Sequence, residues 1–146
     1  MSVHTLHLII VFALVATVFT AFLREWASPE GIWPSPGEAK VYADAMALPF
    51  VAHSAAEYYR WVVRSQFRPD GWRFAARMRT PITLPVLQLQ GGHDRAVLPG
   101  SDSGSAAYCT GPFERHLIPS AGHFLPEEAP ESVNRLLLDW LAGLGG

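Results

Sequence analysis

The sequence predicts an α/β protein, helical in its first half, with a short parallel sheet in its second. Three observations lead there. Apolar residues recur at helical spacing through residues 36–78. Two short apolar runs, near residues 85–90 and 115–119, each lead into a turn that contains glycine. An amphipathic stripe then closes the chain over residues 130–143. Helices followed by strand–helix–strand–helix is the order expected at the end of an α/β sheet.

Composition narrows the function classes. The chain has 146 residues, about one domain's worth. Hydrophobic residues make up 49% and charged residues 16%, which excludes a disordered chain. A formal charge of -2 and a pI near 6.3 exclude a polybasic nucleic-acid binder. Cys109 is the single cysteine, so neither an internal disulfide nor a cysteine zinc cage can form. The six histidines show no metal-ligand spacing, and no cofactor motif occurs.

The charge deficit is concentrated at the start, where residues 1–23 contain no Lys, Arg, Asp or Glu. Residues 6–23, LHLIIVFALVATVFTAFL, would span roughly 27 Å as a helix, barely a bilayer core. A cleaved signal peptide fits poorly, because no basic residue precedes the apolar run and ArgGluTrpAlaSerPro follows it. Two readings stay open: a membrane anchor through residues 6–23, or a buried helix. An anchor with Arg24 on its C-terminal side would leave the rest cytoplasmic, and a buried helix leaves the whole chain cytoplasmic. The expected organisation is an apolar leader over 1–23, a helical region over 24–80 and a sheet-bearing part over 81–146.

Residues 27–37 hold three prolines and two glycines and must be a loop. A helix over 36–48 follows from Val41, Ala45 and Leu48. A second, over 49–66, has Ala52, Ala55, Ala56, Tyr59, Val62 and Val63 on one face. A third, over about 70–78, follows a turn at ProAspGly and shows Trp72, Ala75 and Ala76 on its apolar side. ProValLeuGlnLeuGln from Pro85 reads as a strand ending at Gly91-Gly92. Residues 101–108 suit a helix capped by Ser101 or Asp102. ArgHisLeuIlePro from Arg115 is the second strand. Pro130 opens the last helix, Val133, Leu136, Leu137, Trp140 and Leu141 form its stripe, and Gly143 closes it. The arginines at 60, 64, 68, 73, 77 and 79 face only Asp70 and Glu57, and read as solvated helix faces rather than a nucleic-acid surface.

Chemistry concentrates after the two strands. Asp94 lies just past the first and His123 just past the second. A strand–helix–strand unit makes the strands parallel, with neighbours about 4.8 Å apart, so both C-terminal ends share one sheet edge. Short loops there can bring the Asp94 carboxylate onto the His123 imidazole, at the edge where open α/β sheets bind ligands. The alternative for His123 is a surface turn histidine. An acid that orients a histidine base, in the chain order Asp then His, matches the last two members of a hydrolase triad.

ProValLeuGlnLeuGlnGlyGlyHisAsp from Pro85 and AlaGlyHisPheLeuProGluGlu from Ala121 resemble the acid and histidine segments of α/β-hydrolases, within them the epoxide hydrolase-like enzymes. AlaAlaGluTyrTyrArgTrp from Ala55 is similar to the cap motif of those enzymes, in which a tyrosine polarises the epoxide oxygen; the matching residue is Tyr59. Glu57 and Tyr58 stand where that motif often carries Asn and Trp. Tyr59 also suits a core position on its helix. The resemblance implies the C-terminal part of an α/β-hydrolase fold, with helical cap, last two parallel strands and an incomplete sheet. It implies Asp94, His123 and Tyr59 as catalytic residues, no cofactor or metal, and an epoxide or carboxylester as small-molecule substrate.

The nucleophile elbow of such enzymes precedes the acid. No Gly-x-Ser-x-Gly or Gly-x-Asp-x-Gly occurs before Asp94. The one formal match, Gly100 to Gly104 around Asp102, follows the acid and is better explained as a helix start. The expectation is a hydrolase part that is inactive alone and needs an N-terminal half. The alternative from another class is a noncatalytic, membrane-anchored interaction fragment.

Overall fold

A computed structural model describes residues 14, 17–98, 100, 101 and 104–145 of the chain. Most of the apolar leader, residues 1–13, 15 and 16, lies outside the described residues, and residues 17–26 are helical. Among the described residues, no helix is long and apolar enough to cross a membrane. The chain divides into two units: Met1–Leu23 with Pro34–Arg79, and Arg24–Trp33 with Thr80–Gly146.

Among the described residues, the first unit holds the helical residues 17–23 and three further helices. Helix α1 spans Pro36–Met46 and begins with a reciprocal cap. The Glu38 amide donates to Ser35 Oγ, and the Ser35 amide donates to the Glu38 carboxylate. Each bond satisfies a donor that the first helical turn would otherwise leave unpaired. Ala39 and Ala43, four residues apart, form its buried stripe.

Helix α2 spans Val51–Ser65 and α3 spans Pro69–Arg77. Pro69 opens α3 instead of belonging to a turn before it, because its fixed φ and missing N–H suit a first helical position. Arg68 is extended, as a residue before proline prefers. Trp61 of α2 and Phe74 of α3 meet edge to face at 5.0 Å. Gly71 permits the close approach, since a Cβ there would lie 1.9 Å from the Ser65 carbonyl oxygen.

In the second unit, β1 (Val86–Gly91) and β2 (Phe113–Ile118) pair in parallel, from Val86 opposite Phe113 to Gly91 opposite Ile118. The connection contains a short 3-10 turn, Ser105–Tyr108, where the sequence suggested a helix from 101. Gly100 adopts a left-handed φ of 98°, which breaks helical geometry just before the expected start, and the turn follows Gly104. Ser101 Oγ donates back to the Leu98 carbonyl instead of capping, and Asp102 lies outside the described residues.

After β2 come a one-turn helix α4, Leu125–Glu128, and α5, Pro130–Gly143. Pro130 separates them by forcing Ala129 out of helical geometry, to φ -141°. The predicted apolar stripe of α5 is present but has no fully buried residue, with Leu137, Leu138 and Leu141 exposed. A two-stranded sheet is too narrow to cover it. Among the described residues, the buried ones of this unit are Ala27, Ser28, Trp33, Gln90, Gly91, Asp94, Ile118, Ala121 and Gly122. They gather where the strands end, so the best-packed region is the one that holds Asp94 and His123.

Candidate active site

Parallel pairing in register puts Gly91 and Ile118 side by side at the C-terminal edge of the sheet. Asp94 leaves β1 through a tight turn, and its own amide bonds back to the Gly91 carbonyl. The backbone there is too crowded for side chains. A Cβ on Gly91 would lie 2.0 Å from the Gly122 oxygen, and one on Gly122 would lie 2.5 Å from the Ser28 nitrogen. Glycine at both positions lets three chain segments stack backbone to backbone.

On this platform both carboxylate oxygens of Asp94 stand 3.1 Å from His123 Nδ1. An ionised carboxylate can only accept, so Nδ1 carries the proton and donates. In the neutral ring that leaves Nε2 as a free-pair acceptor, the form a general base needs. Asp94 is 7% exposed and its charge is well supported. Burial acts to raise its pKa and is the largest single influence. The Val97 amide, the His123 ring and the Ala96 amide together outweigh it and hold the carboxyl below its ordinary value. Both amides donate to Oδ1 at 2.8 Å.

Sequence reasoning missed several supports of this pair. Gln90, buried at the end of β1, donates through Nε2 to the Val97 carbonyl at 2.8 Å and to Asp94 Oδ2 at 3.3 Å. It thereby ties the Asp94 turn to the strand. A glutamine in place of an apolar residue at the last inward position of a strand was the available signal. Trp26 stands edge-on to the His123 ring at 5.1 Å, and its carbonyl accepts the His123 amide. No spacing in the sequence announces that contact. His93 sits with Nδ1 3.0 Å from the Oγ of buried Ser28. Among the described residues, every buried side-chain polar atom has a partner.

Tyr59 belongs to the other unit, on α2. It is 65% exposed and lies edge-on to Tyr58 at 5.5 Å. The core position that its helical spacing also allowed is therefore not the one it takes. Nearby, Glu57 accepts from Arg60 and Arg64, whose guanidinium groups hold its carboxyl below the ordinary value. Among the described residues, no cluster of His, Cys, Asp and Glu could hold a metal ion. A cavity of about 480 Å³ opens between β2 and α5, lined by Phe113, Glu114, His116, Leu136, Asp139 and Trp140 among others, but not by Asp94 or His123.

No protein-family model matches the chain. Part of it is similar to epoxide hydrolase B of Mycobacterium tuberculosis, with 41% identity over 77 residues, 51% of this chain and 22% of that protein. Part is similar to epoxide hydrolase 3 of Xenopus tropicalis, with 32% identity over 60 residues, 41% of this chain and 16% of that protein. The match thus takes in about a fifth of the length of these curated relatives. Among solved structures, Cfl2 wild-type from Burkholderia cenocepacia superposes with a TM-score of 0.69 at 20% identity, covering 86% of this chain and 40% of that chain. At that identity the likeness speaks to fold alone. The chain is a mixed helix–strand protein with a small parallel sheet, partly similar in sequence to epoxide hydrolases.

Proposed function

We propose that the chain carries the acid–base part of an epoxide hydrolase-like active site on an α/β-hydrolase framework. The observation that carries this reading is the buried Asp94 carboxylate bonded to His123 Nδ1 at the C-terminal edge of parallel strands. The partial similarity to epoxide hydrolases supports it.

In this reading a carboxylate nucleophile, supplied by residues outside this chain, attacks an epoxide carbon and breaks its bond to oxygen. The product is an enzyme ester and an alkoxide, which takes a proton from the Tyr59 hydroxyl. His123 Nε2 then removes a proton from water, and the resulting hydroxide adds to the ester carbonyl. Collapse releases the diol and restores the carboxylate, and the proton on His123 returns to the tyrosinate through solvent. Asp94 holds the ring in its Nδ1–H form and stabilises the imidazolium. A carboxylester substrate would use a serine nucleophile and leave Tyr59 without a chemical role.

The experiment joins this chain to the N-terminal half of an epoxide hydrolase and follows epoxide and p-nitrophenyl ester turnover. Epoxide turnover that disappears in His123→Ala is expected, with none from the chain alone. Turnover that survives His123→Ala would sink the reading.

A second reading, a noncatalytic interaction fragment, is favoured by the exposed Tyr58, Val63, Phe67 and Trp72 on and around α2 and α3. It predicts that His123→Ala leaves every measurable property of the chain's associations unchanged, and that no completed form turns over substrate. Partition into membranes that is lost on deleting residues 1–23 would add an anchor to either reading.

A further inference from the structure

Glu128 accepts three backbone hydrogen bonds at once. Its Oε2 takes the amides of Ser28 at 2.7 Å and Gly122 at 2.9 Å, and its Oε1 takes the amide of Phe124 at 2.9 Å. Gly122 and Phe124 are the two neighbours of His123. The His123 amide itself donates to the Trp26 carbonyl at 2.9 Å. Three successive amides around the histidine are therefore all engaged, two of them by one carboxylate. The same carboxylate binds the 26–28 segment, which supplies both the Trp26 carbonyl and the ring that meets His123 edge-on.

Helix capping accounts for only one of these bonds. Phe124 precedes α4, and a side chain inside a first helical turn that reaches back to that residue's amide satisfies an orphan donor. Gly122 and Ser28 lie outside the helix. Their amides converge on Glu128 because the 119–124 loop and the 26–28 segment cross there, where Gly122 leaves no room for a Cβ. A charged acceptor forms stronger bonds to N–H groups than a neutral one, so one half-buried carboxylate can hold two loops in one arrangement.

We propose that Glu128 is the positioning residue for His123. It fixes the backbone on both sides of the ring, and so keeps Nδ1 aimed at Asp94 and Nε2 free for water. The proposal rests on the hydrolase reading of His123 for its purpose, though the positioning itself is measurable without turnover. Glutamine at 128 has one acceptor oxygen and sets an NH2 group against amide donors. The three amides cannot all be satisfied by it.

The test uses the full chain, labelled with 15N in histidine, and reads the ring tautomers by NMR; His123→Gln assigns the signal. The wild type is expected to show His123 as the Nδ1–H tautomer with a downfield Nδ1 proton. Glu128→Gln should keep the dispersed amide spectrum of β1, β2 and α5, while that proton signal disappears and the ring becomes a tautomer mixture. Glu131→Gln, an exposed change in the first turn of α5, should leave the signal in place. An unchanged signal in Glu128→Gln overturns the proposal. So does a signal lost together with the dispersion of the whole unit, because the carboxylate would then hold the fold and not the ring.

Hydrogen exchange in the unmodified chain provides a measurement that no misfolded variant can obscure. The Ser28, Gly122 and Phe124 amides should exchange about tenfold or more slowly relative to open peptide. Open-peptide rates at all three would overturn the proposal. Failure of the hydrolase reading shows separately, as turnover that survives His123→Ala, and leaves both signals intact.

Discussion

Asp94 addresses His123 Nδ1 with both carboxylate oxygens, each at 3.1 Å, while the same carboxylate is anchored by two amides of its own turn. The acid is thus fixed by the backbone before it meets the ring. Its orientation does not depend on the histidine. Changes to the carboxylate and changes to the platform beneath it should therefore separate experimentally.

Asp94→Asn keeps the shape and one acceptor oxygen. That oxygen will stay with the Ala96 and Val97 amides, leaving an NH2 group facing Nδ1 and favouring the wrong ring tautomer. In the completed hydrolase the rate should fall by about 10⁴-fold, the scale of the same change in a serine-protease triad. Stability should fall by about 1–3 kcal/mol, because a bond to a charged group is lost. Steady-state turnover and urea unfolding check the two effects.

The depressed pKa of Asp94 has a definite sign in stability. The unfolded carboxyl titrates near pH 3.9, so the folded form binds its proton at a lower pH. The stabilisation is fully present above the unfolded value and is lost as pH falls through the folded one. Urea midpoints measured between pH 6 and pH 2 should decline through this window. Asp94→Asn should flatten that part of the decline, and an identical slope in the variant would contradict the assignment.

Gly122→Ala should destabilise the sheet-bearing unit by about 1–3 kcal/mol or more, the cost of overpacking. The added Cβ would meet backbone atoms of Trp26, Ala27 and Ser28 at 2.5–2.7 Å, and backbone yields little. Gly143→Ala is the control. It lies at the end of α5 with nothing within 4 Å of the new Cβ. It should be stabilising by up to about 1 kcal/mol through helix propensity. Thermal unfolding of the two variants should move in opposite directions.

Tyr59→Phe tests the substrate class. The ring is 65% exposed, so removing its hydroxyl should change stability by less than about 0.5 kcal/mol. Epoxide turnover by the completed enzyme should drop by about 10²-fold or more if the hydroxyl protonates the leaving oxygen. Ester turnover should be unaffected. Equal loss on both substrates would deny the Tyr59 hydroxyl a part specific to epoxide opening.

Local sequence signals decided the elements and their order. The prolines at 36 and 130 and the stripe of α5 mark helix starts and a face through chemistry within a few residues. The strand signals near 85–90 and 115–119, with a crossover between them, pointed to a shared edge for Asp94 and His123. The 3-10 turn at Ser105–Tyr108 is shorter than the helix expected from a cap at Ser101 or Asp102, because Gly100 takes a left-handed φ beside that start. Tertiary structure alone decided the rest. The contacts of Glu128 with Ser28, of Trp26 with His123 and of Gly122 with the 26–28 backbone join residues about 100 positions apart. Periodicity reports only which face a side chain takes on its own element. Which distant amide meets which carboxylate depends on how loops cross, and that is settled when the chain packs.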